Sequence, residues 1–490
     1  MNNIISRINN LNSGIFFFIL LCLNFLGFHL TSNEEELFAY AKQFHDPEWI
    51  PDAWTISVWP GVRLLFFNIT GFLLDFFDFE QVAFWGRLVN FLFIAIPVGR
   101  LFKYLKISNM EMLLLFQVIF FAQQTFFAGE WIFGGFEPKT LAYIFILMGL
   151  GSLVKEKFIA SVTWTVIGSY FHILVGGWFF IFLFIYMVIF KNAWSKAIIY
   201  SAVYIAILLP IIIYLYKGGV KDFHATALGL NVNEILAYYR SPHHLGLFKS
   251  AYYFFYNHLP GVLFTLSWFT LCIFYFRKIN DSLIQRLNKM NIILFSMLLI
   301  SLIIGIFDRG GWYIKYFPYR IGALSMLLVI IQTTLMLKKL AIKESFGQYL
   351  NRAILIICLP MTVYTTAVNF DQSYFNYFKS HPQEEALYSF IQDSTARESV
   401  VHLYQFENLS FTRKTRRDRY VVEKFFPMKS RKIREWYLRM EIDKEIQTDD
   451  NFFYLFKENS VIDYIISKKR ISIPDSKEVF KNETYFVYKL

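Results

Sequence analysis

Long apolar runs, separated by short charged segments, fill the chain up to residue 369. A helix needs about 20 residues to cross a bilayer core of about 30 Å, so each run can be judged by its length. Eleven runs are predicted to span a membrane: 14–30, 83–101, 110–128, 138–154, 158–170, 172–190, 197–216, 257–276, 290–307, 320–338 and 353–369. The pattern predicts an α-helical polytopic membrane protein.

The pair of runs at 158–170 and 172–190 differs from the others because its first member is short. We therefore expect the turn that joins them, Ser169–His172, to lie partway into the membrane. His172 of this turn is included among the candidate substrate- or phosphate-binding residues.

The apolar stretch 61–77 is not counted as a span, because it carries Arg63, Asn68 and Asp75. The charges of the linkers support this choice. If 61–77 lies in the membrane interface, five basic linkers fall on one side, as the positive-inside rule requires: 102–109, 155–157, 191–196, 277–289 and 339–352. We therefore interpret 61–77 as an interfacial or re-entrant helix.

This interpretation also orients the chain. The N-terminus is predicted to be cytoplasmic, and an odd number of spans places the C-terminus outside. The external side then holds the long loops 31–82 and 217–256. The predicted domains are a transmembrane domain, 1–369, and an extracytoplasmic domain, 370–490.

The tail from residue 370 has a different character, with frequent charges and short β-branched or aromatic runs. Such alternation of strand-like and helix-like stretches is typical of a small α/β domain. The predicted elements are helix 383–393, strand 399–405, strand 419–423, helix 430–446, strand 461–466 and strand 483–488.

Composition agrees with a membrane protein, since 56% of the residues are hydrophobic and only 17% are charged. An ordinary soluble chain does not bury so much apolar surface. The net charge of +11 comes largely from the linkers and the tail, so membrane topology explains it better than nucleic-acid binding. The three cysteines lie in apolar runs and predict no disulfide framework.

Acidic residues follow the first predicted span. Glu34–Glu36 are expected to form a solvated helix cap, with Ser32 or Asn33 as the N-cap residue. Asp46 and Asp52 lie in a loop rich in proline and tryptophan, where a carboxylate can act as a general base or a metal ligand.

The segment GGFEPK, residues 134–139, joins two predicted spans and places Glu137 beside Lys139. One interpretation is an ion pair at a helix start, with Pro138 in the first turn. Because ionisable groups at a membrane edge are often functional, substrate binding is an equal alternative.

A second polar segment, RSPHH, lies in the loop 217–256 and contains Arg240, His243 and His244. Zinc binding is a weak interpretation, because no third ligand stands at a recognisable spacing. Arginine and histidine together suit an anionic phosphate better. Arg309 belongs to a similar external cluster at 308–312.

The stretch 413–434 in the tail is strongly basic and contains Arg416, Arg417 and Lys424. A solvated basic face, or one that lies on anionic headgroups, explains such a stretch most simply. Phosphate binding by these three residues is the functional alternative.

The layout and three motifs resemble known proteins. GGFEPKTLAY (134–143), RSPHH (240–244) and RRDRYVVEKFFP…EWYLR (416–439) look like motifs of a little-characterised group of bacterial membrane proteins. The arrangement of a first span, an acidic external loop, about eleven spans and an external C-terminal domain resembles the GT-C superfamily of glycosyltransferases.

This resemblance implies transfer of a sugar from a polyprenyl-phosphate donor to a glycan, lipid or protein acceptor at the outer face of a bacterial inner membrane. The first external loop of such enzymes supplies the acidic catalytic residue, and Asp46 and Asp52 are the matching positions, with Glu34–Glu36 as alternatives. Asp46 is preferred, because it stands beside His45 and closer to the first helix. No Asp-x-Asp pair is present, so a divalent metal is not favoured and no cofactor is expected. Arg240, His243, His244 and Lys139 are then expected to hold the donor phosphate.

Two other functions are open alternatives. A transporter or flippase would place charges inside several spans, and the predicted spans hold few. A non-enzymatic assembly or lipid-binding protein would use the tail to dock a partner and the basic stretch to hold headgroups.

Overall fold

The protein is described from a computed structural model that covers residues 2–218, 226–340, 344–375, 377–448 and 461–490. The α-helices in these ranges are α1 Asn2–Asn10, α2 Ser13–Phe25, α3 Ser32–His45, α4 Leu64–Leu73, α5 Phe79–Tyr104, α6 Asn109–Phe121, α7 Pro138–Val154, α8 Phe158–Phe171, α9 Ile173–Lys191, α10 Trp194–Gly218, α11 Val232–Glu234, α12 Ala251–Asn257, α13 Leu259–Phe274, α14 Ser282–Phe307, α15 Ile321–Leu340, α16 Glu344–Phe370, α17 Pro382–Ser394, α18 Phe411–Thr415 and α19 Ser430–Thr448. The strands are β1 Thr226–Ala227, β2 Leu230–Asn231, β3 Val400–Tyr404, β4 Asp418–Arg419, β5 Tyr464–Ser467, β6 Lys477–Lys481 and β7 Phe486–Lys489.

Each of the eleven predicted spans overlaps a helix, although α2 and α6 end at Phe25 and Phe121, before the predicted ends at 30 and 128. Within the described residues, seven helices are long and apolar enough to cross a membrane, and these are α5, α9, α10, α13, α14, α15 and α16. The bent pair α1 and α2 gives an eighth candidate, whereas α6, α7 and α8 are shorter. This set indicates a multi-pass membrane protein, and the count of eleven spans stays a prediction.

Buried amide side chains join neighbouring helices. Asn291 of α14 donates to Gln332 of α15 at 2.6 Å, and Gln117 of α6 donates to Thr362 of α16 at 2.7 Å. Such bonds between apolar helices satisfy polar groups that lipid cannot, and they fix how the helices pack.

The chain divides into two compact units. Unit 1 consists of Met1–Phe28, Ala83–Ile213 and Leu236–Tyr374, and unit 2 consists of His29–Val82, Tyr214–Ile235 and Phe375–Leu490. The predicted domain boundary at residue 370 stays a prediction.

Unit 2 contains a five-stranded mixed sheet with the order β4-β3-β5-β7-β6. Strand β3 is parallel to β4 and β5, whereas β7 is antiparallel to β5 and β6. Its core joins Val401, Leu403 and Ile466 of the strands to Leu387 and Ile391 of α17.

The sequence predicted most of these elements close to their observed places. The predicted strand 419–423 is reduced to the two residues of β4, and β6 was not predicted. Strand β6 has the sequence KEVFK and lies at a sheet edge, with both lysines exposed. Charged edge strands lack the alternating apolar pattern by which a strand is recognised.

Helix α4 lies within the stretch that was interpreted as interfacial. It buries Phe66, Phe67 and Gly71, and a Cβ atom on Gly71 would lie 2.6 Å from the Cβ of His45 in α3. Its exposed residues are Leu65, Asn68, Ile69 and Phe72, three of which are apolar, and the exposed Phe76 and Phe77 follow the helix. An exposed face of this kind is typical of a helix in a membrane interface.

Candidate functional site

A cleft of about 590 Å³ lies within unit 2. Two predicted site residues, Asp46 and Arg416, line it together, although they are far apart in sequence. The remaining lining residues are Lys42, Trp49, Leu74, Phe77, Asp78, Phe79, Glu80, Tyr377, Arg413 and Lys414. The cleft therefore combines carboxylates, cations and aromatic rings.

Asp46 is the C-cap residue of α3, and 41% of its side chain is exposed. Its carboxylate lies 3.3 Å from the ammonium of Lys42, which also donates to Asp75 at 2.8 Å. His45 Nε2 lies 2.8 Å from the other oxygen of Asp75. The hydrogen bond and charge of Lys42 hold the pKa of Asp75 below its usual value.

Arg413 crosses one side of the cleft. Its guanidinium donates to both oxygens of Glu35, at 2.9 and 2.8 Å, and to Glu80 at 2.6 Å. Burial acts to lower the pKa of Arg413, but the two carboxylates outweigh it and raise that pKa. This bidentate clamp joins α3, the first turn of α5 and α18.

The expected solvated cap at Glu34–Glu36 is wrong, because all three glutamates are buried. The N-cap residue is Thr31, and it forms a capping box with Glu34. Glu36 lies 3.7 Å from Arg63 and 4.0 Å from the predicted phosphate ligand Lys424. Each glutamate thus has its own partner.

The three basic candidates of the tail occupy different environments. Arg416 is exposed, has a left-handed backbone with φ of 52°, and has no acidic partner among the residues that the structure describes. Arg417 is buried and donates to the carbonyl oxygens of Gln392 and Thr395 at the end of α17. Lys424 donates to Asn33.

Asp52 does not line the cleft. It is exposed in a turn with φ of 54°. The loop is fixed just beyond it, where the buried carboxylate of Asp418 accepts from the backbone N–H of Trp54 and from the hydroxyl of Thr55. The structure therefore places only Asp46, the aspartate that the sequence analysis preferred, in the cleft.

A second polar cluster lies within unit 1 and contains Glu137, Lys139, His172 and His244 of the predicted set. Its centre is Glu130, which is 2% exposed and lies 3.3 Å from Arg320 Nε, 3.7 Å from Lys139 Nζ and 3.9 Å from His244 Nδ1. Burial acts to raise the pKa of Glu130, but Arg320 and Lys139 outweigh it and lower that pKa.

The other members surround this centre. Lys139 lies 3.9 Å from Glu137 and 3.0 Å from the centroid of the Trp131 ring. His172, the one residue between α8 and α9, accepts a hydrogen bond of 2.6 Å from Arg320. It is buried in unit 1, and its depth in a membrane stays a prediction.

The remaining candidates lie at the surface of unit 1 or near it. Arg240 ends a π-helical turn, Ile235–Arg240, and is partly exposed. His243 and Arg309 are exposed. The residue before Arg309, Asp308, accepts from three backbone N–H groups at 312–314 and thereby shapes the turn.

Lys42, Asp75 and Arg413 were not among the predicted site residues. Lys42 stands one helical turn before Asp46, and this spacing is a readable signal for an ion pair. No comparable signal exists for Arg413, because its partner Glu35 is 378 residues away. Long-range pairs of this kind appear only in the fold.

In the parts of the chain that the structure covers, no three or more His, Cys, Asp and Glu side chains come together as a metal site. No family model matches the chain, and no curated protein matches it.

Proposed function

We propose that the protein is a glycosyltransferase that moves a sugar from a polyprenyl-phosphate donor to an acceptor at the external membrane face. The observation that carries the proposal is the position of Asp46 in the cleft of unit 2, beside Lys42, in a lining that also contains the basic residues Lys414 and Arg416. A carboxylate and cations in one cleft are the groups that sugar transfer from a phosphate requires.

In the proposed reaction the acceptor hydroxyl attacks the anomeric carbon, and its proton passes to the Asp46 carboxylate. The bond between that carbon and the phosphate oxygen breaks, and the phosphate leaves with the electron pair. Attack opposite to the leaving group inverts the anomeric configuration. Lys414 and Arg416 stabilise the negative charge that develops on the phosphate.

Arg416 is the cation best suited to this role. Lys42 is shared between Asp46 and Asp75, and Lys414 lies 3.3 Å from Glu80. Arg416, without an acidic partner in the described ranges, presents a guanidinium that can bind two phosphate oxygens at once.

The rim of the cleft supports a lipid-linked donor. Leu74 and Phe77 line the cleft just beyond the end of α4, whose exposed residues are mostly apolar. Phe79 lines it as well and is the first residue of α5, a candidate span. A donor with a phosphate head and an apolar tail matches such a rim.

The hypothesis that Arg240, His243, His244 and Lys139 hold the donor phosphate stays a prediction. In unit 1, Lys139 and His244 both lie beside the Glu130 carboxylate, so a negatively charged partner already occupies the place where a phosphate would bind. For this reason the proposal assigns the phosphate to Arg416 and Lys414 of the cleft. It assigns no step to a metal ion.

A non-enzymatic lipid-binding protein is the second candidate, because the apolar face of α4 suits membrane attachment without any chemistry. Turnover distinguishes the two. The full-length protein in nanodiscs is incubated with a radiolabelled polyprenyl-phosphate sugar and candidate acceptors. The transferase releases polyprenyl phosphate and labels an acceptor, whereas the lipid-binding protein leaves the donor intact.

A further inference from the structure

The ring of His244 in unit 1 is oriented by a hydrogen bond and has no role in the proposed transfer. Its Nδ1 atom lies 2.7 Å from the carbonyl oxygen of Ala128. A carbonyl oxygen only accepts hydrogen bonds, so the ring proton is on Nδ1. The Nε2 atom of the neutral ring is then left with a free lone pair.

The carbonyl that fixes this tautomer is itself held in place. Ala128 and the following Gly129 both have left-handed backbones, with φ of 65° and 59°. The same loop is clamped by Gln124, whose amide donates to the Phe133 carbonyl at 2.7 Å and accepts from the Ile132 N–H at 2.9 Å. A left-handed backbone is unfavourable for alanine unless the surrounding structure holds it in that conformation.

The charges around the ring favour a neutral imidazole. Burial lowers the pKa of His244 to about 4, and the charges of His243 and Lys139 act in the same direction, while Glu130 acts against them. Glu130 faces the ring from the loop before α7, and Lys139 faces it from α7 itself. At neutral pH the ring is therefore uncharged and its Nε2 atom can only accept hydrogen bonds.

We propose that His244 is a ligand-binding residue of this protein, whose Nε2 atom accepts a hydrogen bond from a hydroxyl-bearing ligand. The inference does not depend on the proposed transfer.

The ligand class follows from the tautomer. A ring whose Nδ1–H is engaged by a carbonyl presents an acceptor at Nε2 and no donor. A water molecule or an alcohol can donate to that atom, whereas a phosphate oxygen cannot. His244 thus suits a hydroxyl group better than the phosphate that the RSPHH motif suggested.

Carbethoxylation tests whether Nε2 is free and accessible. The full-length protein in detergent is treated with diethyl pyrocarbonate between pH 8 and pH 5.5, and modification of His244 is followed by mass spectrometry. N-acetylhistidine, with a pKa of about 6.5, should react about tenfold more slowly at pH 5.5. The rate at His244 should change less than twofold. An unreactive His244, or one that slows in parallel with the reference, overturns the proposal.

Nitrogen NMR of protein labelled with ¹⁵N-histidine tests the tautomer directly, with the His244 signals identified by their loss in His244→Asn. The asparagine amide can still donate to the Ala128 carbonyl, so this variant should keep its fold and its thermal midpoint, whereas His244→Ala should lower the midpoint. Nδ1 is expected to be protonated and Nε2 unprotonated at pH 7. A proton on Nε2 contradicts the proposal.

Discussion

The carboxylate of Asp46 lies 3.3 Å from the ammonium of Lys42, one helical turn earlier in α3. The same ammonium donates to Asp75 at 2.8 Å, beyond the end of α4. Lys42 therefore links the proposed base to Asp75, in the turn that follows α4, and this link holds Asp46 in place.

Replacing Lys42 tests this positioning role. Lys42→Met keeps the aliphatic stem but removes the charge, so Asp46 loses its partner and the pKa of Asp75 should rise toward its usual value. We expect transfer to slow by about ten- to a hundredfold, since misplaced catalytic groups cost rates of this order. The kcat of the full-length protein is measured against Lys379→Met, which changes an exposed lysine of unit 2. Equal rates in both variants would refute the role.

The Arg413 clamp is predicted to stabilise unit 2. Arg413→Met leaves the buried Glu35 without its cation and Glu80 with Lys414 alone, and removal of one partner from a buried pair costs about 3–5 kcal/mol. Thermal unfolding should show a clearly lowered midpoint. Lys414→Met is the matched control, because its 44% exposed side chain pairs with the same Glu80 and such pairs contribute at most about 1 kcal/mol. Similar midpoints for both variants would show that the clamp is dispensable.

The stability of unit 2 should depend on pH through the ionisation of Asp443. Burial raises the pKa of this carboxyl to about 6, so the folded state binds its proton more tightly than the unfolded chain does. That contribution is fully present below pH 4 and is lost as pH rises through about 6. Asp443→Asn removes this loss of stability, and we expect a gain of about 3 kcal/mol above pH 7 that vanishes near pH 4.

His402, which neighbours Asp443, also contributes to the pH dependence of stability, because burial lowers its pKa to about 3. Wild type and Asp443→Asn both contain His402, so its contribution largely cancels in the difference between their stabilities. Unfolding of wild type and Asp443→Asn is therefore compared across pH 4–8. A difference that does not depend on pH would show that Asp443 ionises normally in the folded protein.

Local signals in the sequence explain much of the helical part of the fold. Ser108 and Glu111 form the capping box that starts α6, and Pro138 occupies the first turn of α7 as its residue type predicts. These signals act over three or four residues, so a single sequence reveals them.

The site was less predictable because its geometry depends on distant contacts. Asp46 and Asp52 share a Pro- and Trp-rich loop, and only the fold shows that Asp46 lines the cleft whereas Asp52 lies in an exposed turn outside it. The burial of Glu35 likewise depends on Arg413, which no local pattern connects to it.

The most direct test of the proposed function compares Asp46→Asn with Asp52→Asn, two nearly isosteric changes in one loop. Both full-length variants are assayed for sugar transfer from a polyprenyl-phosphate donor, with and without a chelator. Asp46→Asn should be slower by about a hundred- to ten-thousandfold, the cost typical of a lost general base, while Asp52→Asn keeps the wild-type rate and the chelator has no effect. A wild-type rate for Asp46→Asn would contradict the assignment of the base, and with it the transferase function of this cleft.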